Sequence, residues 1–258
     1  SGIEARTLRD TFQRLADDIG HAIRFMETIT GRHAGNLRRA EFYTSHEALH
    51  LHYEQALTRQ VPAAQGWYNL STHFPWIGMR TAELDGAHVE FFRGLQNPVG
   101  VKIGPKMTPD WLLELLETLN PQREMGRVCL IHRMGEDRIE DCLPALIDAV
   151  RASGHPVLWI CDPMHGNTEV TGEGIKTRRF DRIRSELEQA FDLHQRSGSR
   201  LGGVHLELTG EEVTECIGGA RAIGESDLRR AYKSTVDPRL NYEQALEMAM
   251  LTVRKGGG

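Results

Sequence analysis

Six short apolar runs separated by long amphipathic stretches constrain this chain more than any other feature. The runs cover residues 41–44, 73–77, 99–103, 128–132, 157–161 and 204–208. Each is bounded by Gly, Pro or Asn, and most are mainly apolar, as strands buried on both faces are. Between them, residues 46–59, 81–95, 109–119, 138–152 and 180–196 are long enough to cross back over a sheet as helices. This alternation predicts an α/β fold with a parallel sheet and helices outside it. Leu8, Phe12, Leu15, Ile19, Ile23 and Met26 recur at steps of four and three, which predicts an opening helix. The polar stretch 31–39 stops it. Residues 241–254 read as one more amphipathic helix. No low-complexity linker interrupts the chain, so residues 1–258 read as a single domain. A closed barrel of the common kind has eight strand-helix units. Six are found, and periodicity alone does not separate a barrel from an open sheet.

Charge narrows the function classes. Lys+Arg 31 against Asp+Glu 36 gives a net charge of -5, which lacks the basic footprint of a nucleic-acid or anionic-membrane surface. No apolar run approaches the roughly 18 residues of a membrane span, and residues 1–10 are too charged for a signal peptide. Cys129, Cys142, Cys161 and Cys216 have no metal-knuckle or disulfide spacing. They read as reduced thiols of a cytoplasmic protein.

In parallel α/β folds the chemistry gathers at the carboxyl ends of the strands. Those positions hold two groups. Arg80, Lys102 and Arg133 are cations at three strand ends with Gly beside or near them, suited to a phosphate or carboxylate. The alternative for each is a rim ion pair with a neighbouring acid. His165, Glu207 and Asp237 offer one imidazole and two carboxylates, a set suited to Mn²⁺, Co²⁺, Fe²⁺ or Zn²⁺ acting as a Lewis acid. The alternative there is a hydrogen-bonding loop His and half-exposed acids. Gly202-Gly203 and Gly218-Gly219 do not form a dinucleotide fingerprint. Cys161 reads as a small core residue, and His46, His50 and His52 as solvated or structural.

In order and spacing, several segments together are specific: Phe42-Tyr43-Thr44-Ser45-His46-Glu47-Ala48-Leu49, Trp76-Ile77-Gly78, Arg93-Gly94-Leu95-Gln96-Asn97-Pro98, Val101-Lys102-Ile103-Gly104-Pro105, Cys161-Asp162-Pro163-Met164-His165-Gly166-Asn167-Thr168, Leu206-Glu207-Leu208-Thr209-Gly210-Glu211 and Asp237-Pro238-Arg239-Leu240-Asn241. From about Thr11 to about Val253 the chain resembles the class II (plant and actinobacterial type) 3-deoxy-D-arabino-heptulosonate 7-phosphate (DAHP) synthases. The resemblance implies a (β/α)₈ TIM-type barrel, of which this chain supplies about six of the eight strands. It implies a metal-dependent transferase condensing phosphoenolpyruvate with erythrose 4-phosphate at the entrance to the shikimate pathway. By resemblance the metal, Mn²⁺ or Co²⁺ first with Zn²⁺ or Fe²⁺ as alternatives, falls on His165, Glu207 and Asp237. Phosphoenolpyruvate falls on Lys102 and Arg133, with Arg80 where the two substrates meet and Trp76 and Gly78 lining the pocket. Catalytic roles fall on Lys102, Arg133 and His165.

Two departures from that family stand out. Its fourth metal ligand is a Cys thiolate on the first barrel strand, in a Gly-Asp-Cys-Ala-Glu-like context that none of the four cysteines here has. Met79 stands where relatives carry an acidic residue. The unmatched stretch corresponds to the two uncounted strands, so the expected partner is a missing N-terminal segment or a second copy in a homo-oligomer. The alternative function is a homologue without that activity, serving as an interaction module or in another metal-assisted keto-acid reaction.

Overall fold

The structure is a computed structural model that describes residues 13, 14, 17, 20–29, 31, 41–62 and 65–256. Contacts divide the chain into two units, Ser1–Tyr43 and Thr44–Gly258. In the first, residues 20–29 are helical and expose Phe25, Met26 and Ile29. Of the apolar positions predicted for that helix, Ile23 and Met26 lie in this stretch. Leu8, Phe12, Leu15 and Ile19 lie outside the described residues.

The second unit runs β1 (Ser45–Glu47), α1 (Leu51–Ala56), β2 (Thr58–Gln60), β3 (Trp67–Asn69), β4 (Phe74–Ile77), α2 (Ala87–Arg93), β5 (Val99–Ile103), α3 (Pro109–Leu119), β6 (Val128–His132), α4 (Ile139–Ser153), β7 (Val157–Cys161), β8 (Thr168–Val170), β9 (Lys176–Arg178), α5 (Phe180–Arg196), β10 (Leu201–Val204) and α6 (Tyr242–Gly256). Six strands form one sheet in the order β1-β4-β5-β6-β7-β10, and every pairing in it is parallel. Among the described residues the sheet is open, with β1 and β10 at its edges. β2-β3 and β8-β9 are small antiparallel hairpins.

The central strands form where apolar residues run continuously, because both faces are covered: every residue of β5 and β6 is buried. Gly100 on β5 has a steric reason, since a Cβ there would lie 2.8 Å from the Cβ of Trp76 and 2.9 Å from Phe74. Helix α3 starts at Thr108, whose hydroxyl accepts from the Trp111 amide at 3.2 Å, with Pro109 in the first turn. Helix α5 buries Phe180, Ile183, Glu186, Leu187, Ala190, Leu193 and His194. These fall on one helical stripe, and Phe180, Ile183, Leu187 and Leu193 each contribute roughly 1.5–3 kcal/mol of transfer free energy.

Four expectations need correction. Of residues 81–95 only Ala87–Arg93 forms an α-helix, after a 3₁₀ turn at Met79–Thr81. Residues 41–44 are not a strand, and the first strand is Ser45–Glu47. Residues 46–59 are not one helix. Only Leu51–Ala56 is helical, because both flanks are drawn into strands: His46 pairs with Pro75 on β4, and Thr58 with Asn69 on β3. The last sheet strand is Leu201–Val204 rather than 204–208. Beyond Val204 only the His205 amide still reaches β7, at the Cys161 carbonyl, and the chain then pairs Leu208 with Leu240 instead.

The core contains an acid-sensitive spot. His132 ends β6 fully buried, 5.6 Å ring to ring from His194 on α5. Burial pushes the His132 imidazole down to about 3, helped by the His194 charge and opposed by that of Asp162, and pushes His194 down to about 4. Neutral imidazoles held below the unfolded value cost nothing above pH 6.5. As pH falls the unfolded chain takes up protons that the folded chain refuses, so stability is lost. For His132 the loss between pH 7 and pH 5 is about 2 kcal/mol. His132→Phe should therefore reduce the fall in Tm over that range by roughly 4–8 °C. Calorimetry at the two pH values checks this, and an unchanged pH dependence rejects it.

Candidate active site

Parallel register brings the strand ends to one level: Ile103 pairs with His132, and His132 with Cys161. Just past them, Trp76, Gly78, Arg80, Lys102, Arg133, His165 and Asp237 line one open cavity of about 410 Å³. A larger cavity of about 640 Å³ lies at the opposite ends of the strands, near Arg127. That guanidinium is spent on the carbonyls of Leu119, Asn97 and Phe92, a structural tie rather than a binding group.

Asp162 organises the floor of the site. It is fully buried directly after β7, and its Oδ2 accepts from Lys102 Nζ at 2.6 Å and from His165 Nδ1 at 2.8 Å. Oδ1 accepts from the Met164 and His165 amides at 3.0 and 3.1 Å. Burial would push this carboxyl up. The His165 hydrogen bond and the Lys102 charge outweigh it and hold Asp162 well below the usual carboxylate range. Lys102 is caged further: Nζ lies 3.1 Å from His205 Nε2 and 4.4 Å from the centre of the Trp76 ring. Burial pushes the His205 imidazole down to about 4, so the neutral ring accepts from the ammonium.

With Nδ1 bound to Asp162, His165 turns Nε2 toward two carboxylates, 3.6 Å from Glu207 and 3.7 Å from Asp237. The three ligand atoms lie within 4.8 Å of one another. Ligands about 2.1 Å from a shared tetrahedral ion stand roughly 3.4 Å apart, so this donor set fits a divalent cation with little movement. The hydrogen bond at Nδ1 is the support that metal-binding imidazoles usually have. Glu207 and Asp237 meet because the 205–208 segment leaves the sheet to pair with Leu240. Their charges are balanced by Arg178, fully buried on β9, whose Nη1 donates to Glu207 at 2.7 Å, and by Lys176, which bonds Asp237. Burial opposes ionisation of Asp237, but Lys176, Arg178 and His165 hold its pKa down.

His132, Cys161 and Glu186 also bring potential ligand atoms within 4.8 Å. That group is buried throughout, burial drives the Cys161 thiol far up, and Glu186 already serves three N–H donors. A thiol that resists ionisation and a committed carboxylate suit an ion poorly.

Lys102 does meet an acid, Asp162, but as a buried pair in the floor of the site rather than on the rim. Among the described residues no carboxylate pairs with Arg80 or Arg133. Arg133 instead sets Nη1 3.2 Å from Met79 Sδ and donates Nη2 to the carbonyl of His165. His46 bonds the buried Glu54 at 2.8 Å, while His50 and His52 are exposed. The four cysteines are free thiols. Sequence reading missed Asp162, His205, Arg178 and Glu186. Two of them had a local signal: Glu186 is a carboxylate in an apolar helical stripe, and Asp162 directly follows a strand end.

The chain matches the class-II DAHP synthetase family over residues 2–253. It belongs to that family. It is 47% identical over 245 residues to phospho-2-dehydro-3-deoxyheptonate aldolase AroG of Mycolicibacterium smegmatis, covering 93% of this chain and 53% of that protein. It is 48% identical over 260 residues to the phospho-2-dehydro-3-deoxyheptonate aldolase of Neurospora crassa, covering 95% and 54%. With that of Streptomyces coelicolor the identity is 46% over 240 residues, covering 93% and 53%. This member of the class-II DAHP synthetase family thus spans about half the length of the curated relatives it matches. A truncated DAHP synthase from Thermotoga maritima superposes at a TM-score of 0.42 and 15% identity, covering 83% of this chain and 67% of that one. Among the described residues no helix is long and apolar enough to cross a membrane.

Proposed function

We propose that this chain carries the phosphoenolpyruvate and metal sites of a cytoplasmic class II DAHP synthase, with residues 1–258 forming one partial barrel domain. The observation that carries the reading is the Asp162 carboxylate, which holds Lys102 and His165 through a single oxygen. In this reading Lys102 and Arg133 bind the phosphate and carboxylate of phosphoenolpyruvate, and Arg80 reaches toward the sugar phosphate. Trp76 and Gly78 wall the pocket. His165, Glu207 and Asp237 hold a divalent ion, Mn²⁺ or Co²⁺ first. Such an ion supplies Lewis-acid polarisation of the aldehyde oxygen of erythrose 4-phosphate. The substrate chemistry is attack of C3 of the enolpyruvate on the aldehyde carbon, addition of water at C2 and departure of phosphate. Caging by Asp162, His205 and Trp76 removes most of the freedom of Lys102 before substrate arrives, which lowers the entropy lost on binding.

The same reading closes the sheet. Parallel edges invite pairing, and a barrel removes them only by closure. Two further strands between β10 and β1, from a preceding segment or another chain, would complete the eight and bring the fourth, thiolate ligand. Exposure on α6 supports this: one face buries Gln244, Met248 and Leu251, while Tyr242, Leu246, Met250 and Val253 on the other are exposed. The span of about half the relatives' length favours a second reading, an interaction module without catalysis.

Metal binding and turnover separate the two. Mn²⁺ titrated into the chain and followed by electron paramagnetic resonance should show one site that chelator empties readily. His165→Ala should abolish it, and Asp162→Asn, which leaves His165 unsupported, should weaken it by about 10–100-fold. Absence of a site in the unsubstituted chain rejects the metal reading. Mn²⁺ binding without consumption of phosphoenolpyruvate in the presence of erythrose 4-phosphate selects the interaction module.

A further inference from the structure

Glu186 is the one carboxylate in the buried stripe of α5. It is fully buried, and among the described residues it meets no cation. Its partners are three N–H donors. Oε1 accepts from the amides of Met134 and Gly135 at 2.9 and 3.0 Å, and Oε2 accepts from Asn167 Nδ2 at 2.7 Å. Asn167 extends the tie: Nδ2 also donates to the Pro163 carbonyl at 2.9 Å, and Oδ1 accepts from the Glu136 amide at 3.0 Å.

These donors belong to two loops that carry the site. Met134 and Gly135 follow Arg133 at the end of β6. Asn167 closes the short turn that begins at His165, at the end of β7. The loops meet backbone to backbone, since a Cβ on Gly166 would lie 2.3 Å from the Gly135 nitrogen. Across that contact Arg133 donates to the His165 carbonyl. Glu186 touches neither Arg133 nor His165, yet its carboxylate is shared between the two loops that carry them.

We propose that Glu186 is a positioning residue that sets the register of the Arg133 loop against the His165 loop, so that anion-binding cation and metal-binding imidazole are presented together. The roles of Arg133 and His165 in this inference rest on the function proposed above. Two amides converging on one oxygen need an acceptor with several lone pairs, which a carboxylate supplies and an apolar residue does not. Burial pushes the Glu186 carboxyl up to about 7, opposed by the Gly135 and Met134 amides and by Asn167, with the Asp162 charge adding to the rise. The fold keeps an acid at this position although its surroundings penalise the charge, and the three donors are what its removal would strand.

The test compares Glu186→Ala with Glu186→Gln in the 258-residue chain by amide hydrogen exchange, with Mn²⁺ and phosphoenolpyruvate affinities measured separately. In Glu186→Ala, exchange should rise at least tenfold over residues 133–136 and 163–168, while β5 and β7 keep their protection. Both affinities should fall at least tenfold. Glu186→Gln keeps an oxygen toward Met134 and Gly135 but turns an N–H donor onto Asn167 Nδ2, so it should recover protection over residues 133–136, only part of it over 163–168, and affinities between those of Glu186→Ala and the parent. Exchange that rises evenly across the sheet, or loop-confined exchange with either affinity unchanged, overturns the proposal. If the unsubstituted chain binds neither Mn²⁺ nor phosphoenolpyruvate, the functional reading fails by itself. The exchange pattern then decides the register alone, loop-confined change upholding it and even change rejecting it.

Discussion

Replacing Lys102 by alanine should cost this protein both the proposed phosphoenolpyruvate site and a large part of its stability. Lys102 and Asp162 form an ion pair at 2.6 Å in which both side chains are almost wholly buried. Removing one partner of such a pair leaves a desolvated charge and costs about 3–5 kcal/mol. Asp162 keeps its bonds from His165 and from two amides, so the lower end, about 3 kcal/mol, is expected. That corresponds to a Tm lower by roughly 6–12 °C. Phosphoenolpyruvate affinity should fall by a further ~1.5–3 kcal/mol, the worth of a charge-assisted hydrogen bond. Arg133→Ala, whose guanidinium meets no carboxylate among the described residues, should lose similar affinity with a smaller change in Tm. The double replacement Lys102→Met with Asp162→Asn removes both charges, and should recover most of the Tm and none of the affinity. Scanning calorimetry and isothermal titration read the two effects separately. A Lys102→Ala protein as stable as the parent would show that the pair is not the anchor described above.

Arg178→Leu carries the second large effect, and its sign depends on metal. Arg178 is fully buried with Glu207 at 2.7 Å, Thr168 at 3.0 Å and the Pro238 carbonyl as acceptors, and its Nη2 lies 3.9 Å from Asp237. Without it, two carboxylates face each other with Lys176 and His165 as the remaining compensation. The metal-free protein should lose about 3–5 kcal/mol, roughly 6–20 °C in Tm. A bound cation replaces the missing charge, so saturating Mn²⁺ should raise Tm more in the variant than in the parent, by the binding free energy it adds to the folded state. Thermal unfolding with and without Mn²⁺ checks this. Equal Mn²⁺ shifts in the two proteins would mean that Arg178 does not compensate the ligand carboxylates.

The strands that sequence reading places correctly to the residue, Val99–Ile103, Val128–His132 and Val157–Cys161, are the central ones. Val99–Ile103 and Val128–His132 are buried along their whole length and Val157–Cys161 in part, with Leu158 exposed, and a continuous apolar run between Gly, Pro or Asn has sharp ends. The edges are less legible. Residues around Ser45–Glu47 and Leu201–Val204 answer to partners on one side only, so their apolar patterns are shorter, and glycines at 202 and 203 blur the second. The region 46–59 has helical periodicity, yet pairing across β1-β4 and β2-β3 takes its ends. Long-range hydrogen bonding there outweighs local propensity.

What the sequence by itself determined is which residues share one end of the sheet. Parallel strands alternating with helices put Arg80, Lys102, Arg133, His165 and the loop of Asp237 at the same level, because chain direction repeats at every strand. Only the tertiary structure decided how their charges are distributed. Lys102 meets Asp162 across 60 residues of chain, Arg178 meets Glu207 across 29, and Glu186 reaches Met134 across 52. No local spacing encodes such pairs. Burial decides them, since a charge withdrawn from water must find its partner wherever packing brings one within about 3 Å.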